Sequence, residues 1–280
     1  MTGPNGGVQP SSSKRIKIKP LNKETLVIRG TLICLFLLTI YGFLTFDYKD
    51  ISFIGGVVAT LDNFGVMFLE PHFAHFTFWE AAYQVLITLG LAVLTTIFGA
   101  FIALLLGLLS AQNLSSKAMS NTIKGIIAFI RAVPTVLWVL IFAVAAGLGS
   151  VAAVIGMTFH SVGYLTKAYS ESFEELDKGV IEALKASGAS WWQIICQAVI
   201  PSSITYIISW TFMRFEINFG VAVAMGAAAG AGGIGFDMFM ASGFYFDLRE
   251  IGTITYFILA VAILLEFIAM RIKSRLKTNV

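Results

Sequence analysis

The chain has 280 residues, of which 57% are hydrophobic and only 12% charged, and its mean hydropathy is +0.83. That balance excludes an ordinary soluble domain and places the chain among membrane proteins. The formal net charge of +3 is no argument for nucleic acid, because the basic residues flank apolar runs, where the rules of membrane topology account for them.

Residues 1–25 open with a stretch rich in Gly, Ser, Pro and Lys that has little to bury, and they read as a disordered basic tail. Residues 26–46 form the first apolar run. It is longer than the hydrophobic region of a signal peptide and lacks a small-x-small cleavage site, so it reads as a retained transmembrane helix. Residues 47–80 are mixed, with several aromatics, and predict an external segment containing a helix that lies along the membrane surface. His72 and His75 within it are three apart and of metal-ligating type. With no cysteine or third ligand at an evident spacing they read as interfacial histidines, and no metal site is assigned. Cys34 and Cys196 lie far apart with no CxxC spacing, which excludes a disulfide framework.

Ala81 to Ser110 is thirty residues without a charge, longer than the roughly 20 needed to cross a hydrocarbon core as a helix. Further spans are expected at residues 125–148, 150–165, 202–223 and 252–270, and residues 271–280 form a second basic tail. Lipid offers no partner for an unpaired backbone group, so each span should be helical. The result is an all-α membrane protein of about six transmembrane helices. Fifteen of the nineteen Lys and Arg residues fall on one side of this arrangement. Both termini are therefore expected to be cytoplasmic, in a multi-pass protein of the cell membrane.

The segment from Thr166 to Gln197, TKAYSESFEELDKGVIEALKASGASWWQIICQ, is too polar to span and too patterned for a linker. It predicts a short helix near Ser170 to Leu176, with Ser172 and Glu175 as a capping box, and a second from Val180 to Ala186 that stops at Gly188. The chain then restarts with the apolar face of Trp191, Trp192, Ile194 and Ile195, and Pro201 opens the next span, where its missing N–H costs little. The product is a cytoplasmic helix-turn-helix elbow.

Several chemistries are absent. There is no Walker phosphate loop, no HExxH and no GxSxG, so the chain is not expected to be an enzyme or to bind a cofactor of its own. Gly230, Gly232, Gly233 and Gly235, in the run GAGGIG, follow a membrane span and lack the βαβ context of a dinucleotide loop. They read as a tight bend or close helix approach beside an external gate.

Glu182, Ala183, Gly188 and Pro201 together resemble the EAA loop of ABC importer permeases, with Leu184, Ala198 and Ile200 as mild departures from the usual pattern. RAVPTVLWVLIFAVAAGLG (Arg131 to Gly149), RFEIN (Arg214 to Asn218) and GAGGIG are similar to the phosphonate branch of that family. The resemblance covers the chain from about Trp79 onward. It implies a type I importer fold whose core, residues 81–270, carries the coupling loop at 166–200. It also implies a second permease subunit, ABC ATPase subunits that bind ATP, and an extracytoplasmic solute-binding protein. Phe219 and Gly220 stand where relatives often carry an Arg, which leaves phosphonate, phosphite and phosphate esters open as cargo.

Arg214 and Glu216 lie mid-span, where each charge costs on the order of 2.5–3.5 kcal/mol on insertion scales. Two apart, they point to opposite faces, whereas Arg214 and Asn218, four apart, share one. Arg214 and Asn218 are expected to flank the path of an anion, with Glu216 paired to a cation elsewhere such as Arg131. The competing reading is a buried structural network. An ion-coupled secondary transporter would need intramembrane carboxylates, for which Glu216 and Glu266 are the candidates, and would leave the elbow unexplained. A lipid-modifying enzyme would lack an evident nucleophile.

Overall fold

A computed structural model describes residues 22–45 and 52–278. Of the disordered tail expected over residues 1–25, residues 1–21 lie outside them, and residues 23–25 are not disordered but form the first turn of a helix. Contacts divide the chain into a unit ending at Ala59 and a unit beginning at Thr60. The first contains α1 (Lys23–Thr45), in which no residue is buried. An apolar helix exposed on every side is what lipid accepts and water does not. Helix α2 (Phe53–Leu69) begins in the first unit and ends in the second, and it is the helix expected within residues 47–80.

The second unit is built on α3 (Phe78–Ser110), α4 (Lys117–Ala132), α5 (Thr135–Ala146), α6 (Ser150–Glu174), α7 (Lys178–Ala186), α8 (Trp191–Ile194), α9 (Ile200–Ala229), α10 (Ile234–Met240) and α11 (Leu248–Thr278). Helix α3 starts with a complete capping box between Thr77 and Glu80. Among the described residues four helices are long and apolar enough to cross a membrane: α1, α3, the continuous helix Trp191–Ala229, and α11. Helices α4 and α5, bent by 90°, count as a fifth when taken together.

The single span expected over residues 125–148 is therefore broken. Pro134 has no N–H to give and forces the residue before it out of the helical region, and Val133 accordingly sits at φ −89°, ψ 123°. Helix α4 is amphipathic, burying Ile123, Ile127 and Ile130 against Trp138 and Val162. The Trp138 indole N–H donates to the Ile130 carbonyl across the bend at 3.0 Å.

The span expected over residues 150–165 proves to be the first part of α6, which runs on to Glu174 and absorbs the helix expected near residues 170–176. Ser172 opens no capping box. Its hydroxyl bonds back to the Ala168 carbonyl inside the helix. Helix α6 has the length of a span but carries His160, Lys167, Glu171 and Glu174, and it lies at the centre of the bundle, packed by α3, α4, α5 and α9. Small residues allow this: a Cβ on Gly99 of α3 would sit 2.7 Å from the Ser161 Cβ, and one on Gly156 would sit 2.5 Å from the Val139 backbone.

Pro201 also departs from expectation. It does not open the fifth span but lies inside a continuous helix that begins at Trp191, just after a π-helical turn at Ile195–Val199. The widened turn accommodates a residue that cannot donate. The second basic tail likewise continues helically as the end of α11.

Because the α5–α6 contact is backbone against backbone, Gly156→Ala should cost about 1–3 kcal/mol. Thermal denaturation of the detergent-solubilised protein, followed by circular dichroism, is the measurement. Gly220→Ala, which meets nothing within 4 Å, should leave the transition unmoved.

Candidate functional site

Two sets of residues have the form of functional sites, one at the elbow and one inside the bundle. At the elbow, Asp177 caps α7 by accepting from the Gly179 N–H at 2.9 Å. Helix α7 ends in a double closure: the Ala189 N–H bonds the Leu184 carbonyl and the Gly188 N–H bonds the Lys185 carbonyl, both at 3.0 Å. This pair defines a Schellman stop, and it needs the left-handed backbone that Gly188 adopts at φ +81°. The next helix starts at once, with a capping box between Ser190 and Gln193.

The elbow is fixed from beneath. Ile181, Ile194, Ile195 and Val199 join a buried cluster with Leu108, Leu114, Leu165, Tyr169 and Phe173. The Trp191 indole N–H donates to the Leu114 carbonyl at 2.9 Å, which ties the turn to the α3–α4 connection. Glu182, Ala183, Gly188 and Pro201 are all exposed. The four residues of the sequence motif thus lie on a surface, on a rigid backbone that the buried face holds in place.

Inside the bundle, Arg214 is 3% exposed and Asn218 fully buried. As their spacing predicts, they share a face of α9, and both reach α6. Arg214 Nε donates to Ser161 Oγ at 3.1 Å. The Asn218 amide meets Ser161 at 3.1–3.2 Å and donates to Thr96 Oγ1 of α3 at 2.9 Å. Thr96 in turn donates to its own helix at the Ala92 carbonyl, 2.7 Å away. Arg214 also lies over the Tyr164 ring, 5.3 Å from its centre, a contact strengthened by desolvation. Its terminal Nη2 is buried with no hydrogen-bond partner among the described residues, as is Nδ1 of His160.

Glu216 is half-buried. Arg131 is exposed at the end of α4 and does not join the Arg214 cluster. It lines a separate cavity of about 280 Å³ with Lys124, Lys167, Ser170, Glu171 and Glu174. His160 lies within reach of the charges of both arginines. Ser161, Thr96 and His160 were not singled out from the sequence. Their only signal there is that they are polar residues inside apolar runs.

The glycine run is a bend. Gly230 caps α9 in the left-handed region, at φ +62° and ψ 32°. A side chain on Gly233 would collide with the Thr88 hydroxyl, and one on Gly235 with the Val223 carbonyl. Close approach to α3 and α9 is thus what these positions require. The Thr88 hydroxyl accepts from the Ile234 N–H at 3.0 Å.

Residues 103–279 match the sequence family described as "Binding-protein-dependent transport system inner membrane component". The chain is 30% identical to the phosphate-import permease protein PhnE of Mycolicibacterium smegmatis over 191 residues, which are 68% of this chain and 35% of that protein. It is 28% identical to the phosphite transport system permease protein PtxC of Stutzerimonas stutzeri over 199 residues, 71% of each. The chain thus spans about a third of the first relative's length. Among solved structures it is similar to the inward-facing MetNI methionine ABC transporter, with a TM-score of 0.64 and 22% identity over 73% of this chain and 99% of that one. That likeness shows the fold, the helical bundle of type I ABC importer permeases.

Ser161→Ala removes the acceptor of a buried guanidinium without changing the packing volume much, and should destabilise the protein by about 1–2 kcal/mol. Thr95→Val is the matched contrast on α3. Its hydroxyl is buried and unpaired, so thermal denaturation should show no loss, or a small gain.

Proposed function

The chain belongs to the family of binding-protein-dependent transport system inner membrane components, and from that premise we propose that it is the membrane-spanning permease subunit of an ATP-driven importer for a small phosphorus oxyanion. The observation that carries this reading is the elbow. A short helix presents Glu182, Ala183 and Gly188 to solvent, a Schellman stop fixes its exit, and an indole hydrogen bond and an apolar cluster fix its underside. A rigid, exposed turn of this kind is suited to seat in a groove of a separate ATPase and to receive force from it. The absence of a phosphate-binding loop in the sequence agrees with ATP being bound by that partner.

In this reading two permease subunits, identical or paralogous, enclose the path. Two ATPases bind the elbows from the cytoplasm, where both termini also lie, and a solute-binding protein delivers cargo on the opposite side. The relatives named for phosphate and phosphite import support a phosphorus oxyanion, with phosphonate in the same chemical class. Arg214, with a buried N–H group unspent, is a donor set to meet an anion beside Asn218. Arg131, in its separate cavity, offers a second cationic station nearer one end.

Glu182 is exposed, and its side chain forms no hydrogen bond or ion pair among the described residues, so Glu182→Lys should leave folding intact. Together with Gly188→Asp it should reduce ATP-dependent uptake of labelled aminoethylphosphonate or phosphite at least about tenfold, a coupling loss of roughly 1.4 kcal/mol or more. Uptake is measured in cells expressing the chain with its ATPase and binding protein, alongside the amount of chain in the membrane. Unchanged uptake in both variants, or failure of the ATPase to co-purify with wild type, would remove the assignment.

A further inference from the structure

The segment joining α2 to α3 carries the two histidines that lacked further ligands in the sequence, and the fold brings those ligands from 175 residues away. His72 Nε2 lies 3.0 Å from Asp247 Oδ2, and His75 Nδ1 lies 2.8 Å from Glu250 Oε2. The potential ligand atoms of His75, Asp247 and Glu250 all fall within 4.8 Å of one another. We infer that His72, His75, Asp247 and Glu250 form a binding site for a divalent transition-metal ion, with Zn²⁺ the ion that two imidazoles and two carboxylates suit.

The donor set fits that chemistry. Imidazole nitrogen and carboxylate oxygen bind zinc at about 2.0–2.2 Å in a tetrahedron. Such a tetrahedron holds its ligands a little over 3 Å apart; the His72–Asp247 and His75–Glu250 pairs already stand at 3.0 and 2.8 Å, while the His75, Asp247 and Glu250 atoms spread over up to 4.8 Å, and they and His72 would draw in around an ion. The remaining atoms of the same side chains are engaged in ways that aim them. Asp247 Oδ1 accepts from the Arg249 and Glu250 N–H groups at the start of α11, at 3.0 and 3.1 Å, which leaves Oδ2 for His72. Glu250 Oε1 accepts from the His75 N–H at 2.7 Å, leaving Oε2 for the ring.

Outer contacts complete the support. The His75 ring stacks on Tyr245 with centroids 3.7 Å apart and planes within 6°. The Thr253 hydroxyl donates to the His72 carbonyl at 2.8 Å. Partners of this second kind orient metal ligands and raise affinity.

Charge points the same way. Glu250 is 0% exposed, and the nearby cation Arg249 is turned to Glu70, 2.6 Å away. Burial, and then the charges of Glu250 and Glu80, push the carboxyl of Asp237 up to about 6. A groove of about 330 Å³ lined by Val66, His72, Tyr245, Phe246, Asp247 and Arg249 gives an ion a way in. Bound there, the ion would fasten the α2–α3 connection to the first turn of α11. The inference stands apart from the identity of the cargo and from the role of the elbow.

The test is Zn²⁺ titration, by calorimetry and by metal analysis after gel filtration, of the full chain purified in detergent without a polyhistidine tag and stripped with a chelator. Wild type is expected to bind one Zn²⁺ per chain and to melt at a higher temperature with it. The pair His72→Gln and His75→Gln, whose amides can still donate to Asp247 and Glu250, should bind at least about tenfold more weakly. His160→Gln removes the third and last histidine of the sequence and should bind as wild type does. If the double variant does not fold, Asp247→Asn is the second probe, since its remaining oxygen can still cap α11. Wild type binding no more Zn²⁺ than the ligand variants would overturn the site and leave the four residues as a hydrogen-bonded latch. Loss of binding in His160→Gln equal to that in the double variant would overturn it as well.

Discussion

The constraint on which the rest of the bundle depends is that α6 is too polar for lipid. It carries His160, Ser161, Lys167, Glu171 and Glu174 within 25 residues, and a polar helix is stable in a membrane only where protein covers it. Lys167 and Glu171 stay exposed near its end, and helices α3, α4, α5 and α9 supply that cover along most of its length. To approach closely they turn small residues inward, with Gly99 against Ser161 and Val139 against Gly156, and they leave large apolar side chains such as Ile97, Phe98 and Phe101 facing outward. Without water to drive helices together by burial, close contact and interhelical hydrogen bonds are the available forces. The Arg214–Ser161–Asn218–Thr96 chain supplies the second of these across three helices.

How much of this was legible in the sequence depended on the range of the signal. The α7 helix and its stop at Gly188 could be read locally, because capping and left-handed glycine are properties of a few neighbouring residues. The shared face of Arg214 and Asn218 followed from helical period alone. The 90° break at Pro134 was also written locally, but an uninterrupted apolar run outweighed one proline. The extension of α6 to Glu174 was not legible by hydropathy, since its polar end is stabilised by neighbours: Glu174 receives the Gln112 N–H and the Lys124 ammonium, both at 2.8 Å. Nor could any local pattern join His72 to Asp247, or His75 to Glu250. Those pairs exist only because the start of α11 packs beside the end of α2, where Tyr256 donates to the Phe68 carbonyl and Gly252 lies against Met67.

The two candidate sites are mechanically one object. Helix α8, the π-turn and α9 run without a break from Trp191 to Ala229, so the elbow stands at the start of the rod on which Arg214 and Asn218 sit. At 1.5 Å per residue, Trp191 and Arg214 are separated by about 35 Å along its axis. A rod of that length turns a small tilt at its base into a displacement of ångströms at the arginine. The indole bond to Leu114 gives the base a second attachment on the α3–α4 connection, so a push on α7 reaches α3 as well as α9. Thr96 lies on α3 and Asn218 on α9, and the bond between them closes the loop. The polar cluster therefore sits between these helices, and any relative movement of them would alter the Thr96–Asn218 and Arg214–Ser161 bonds.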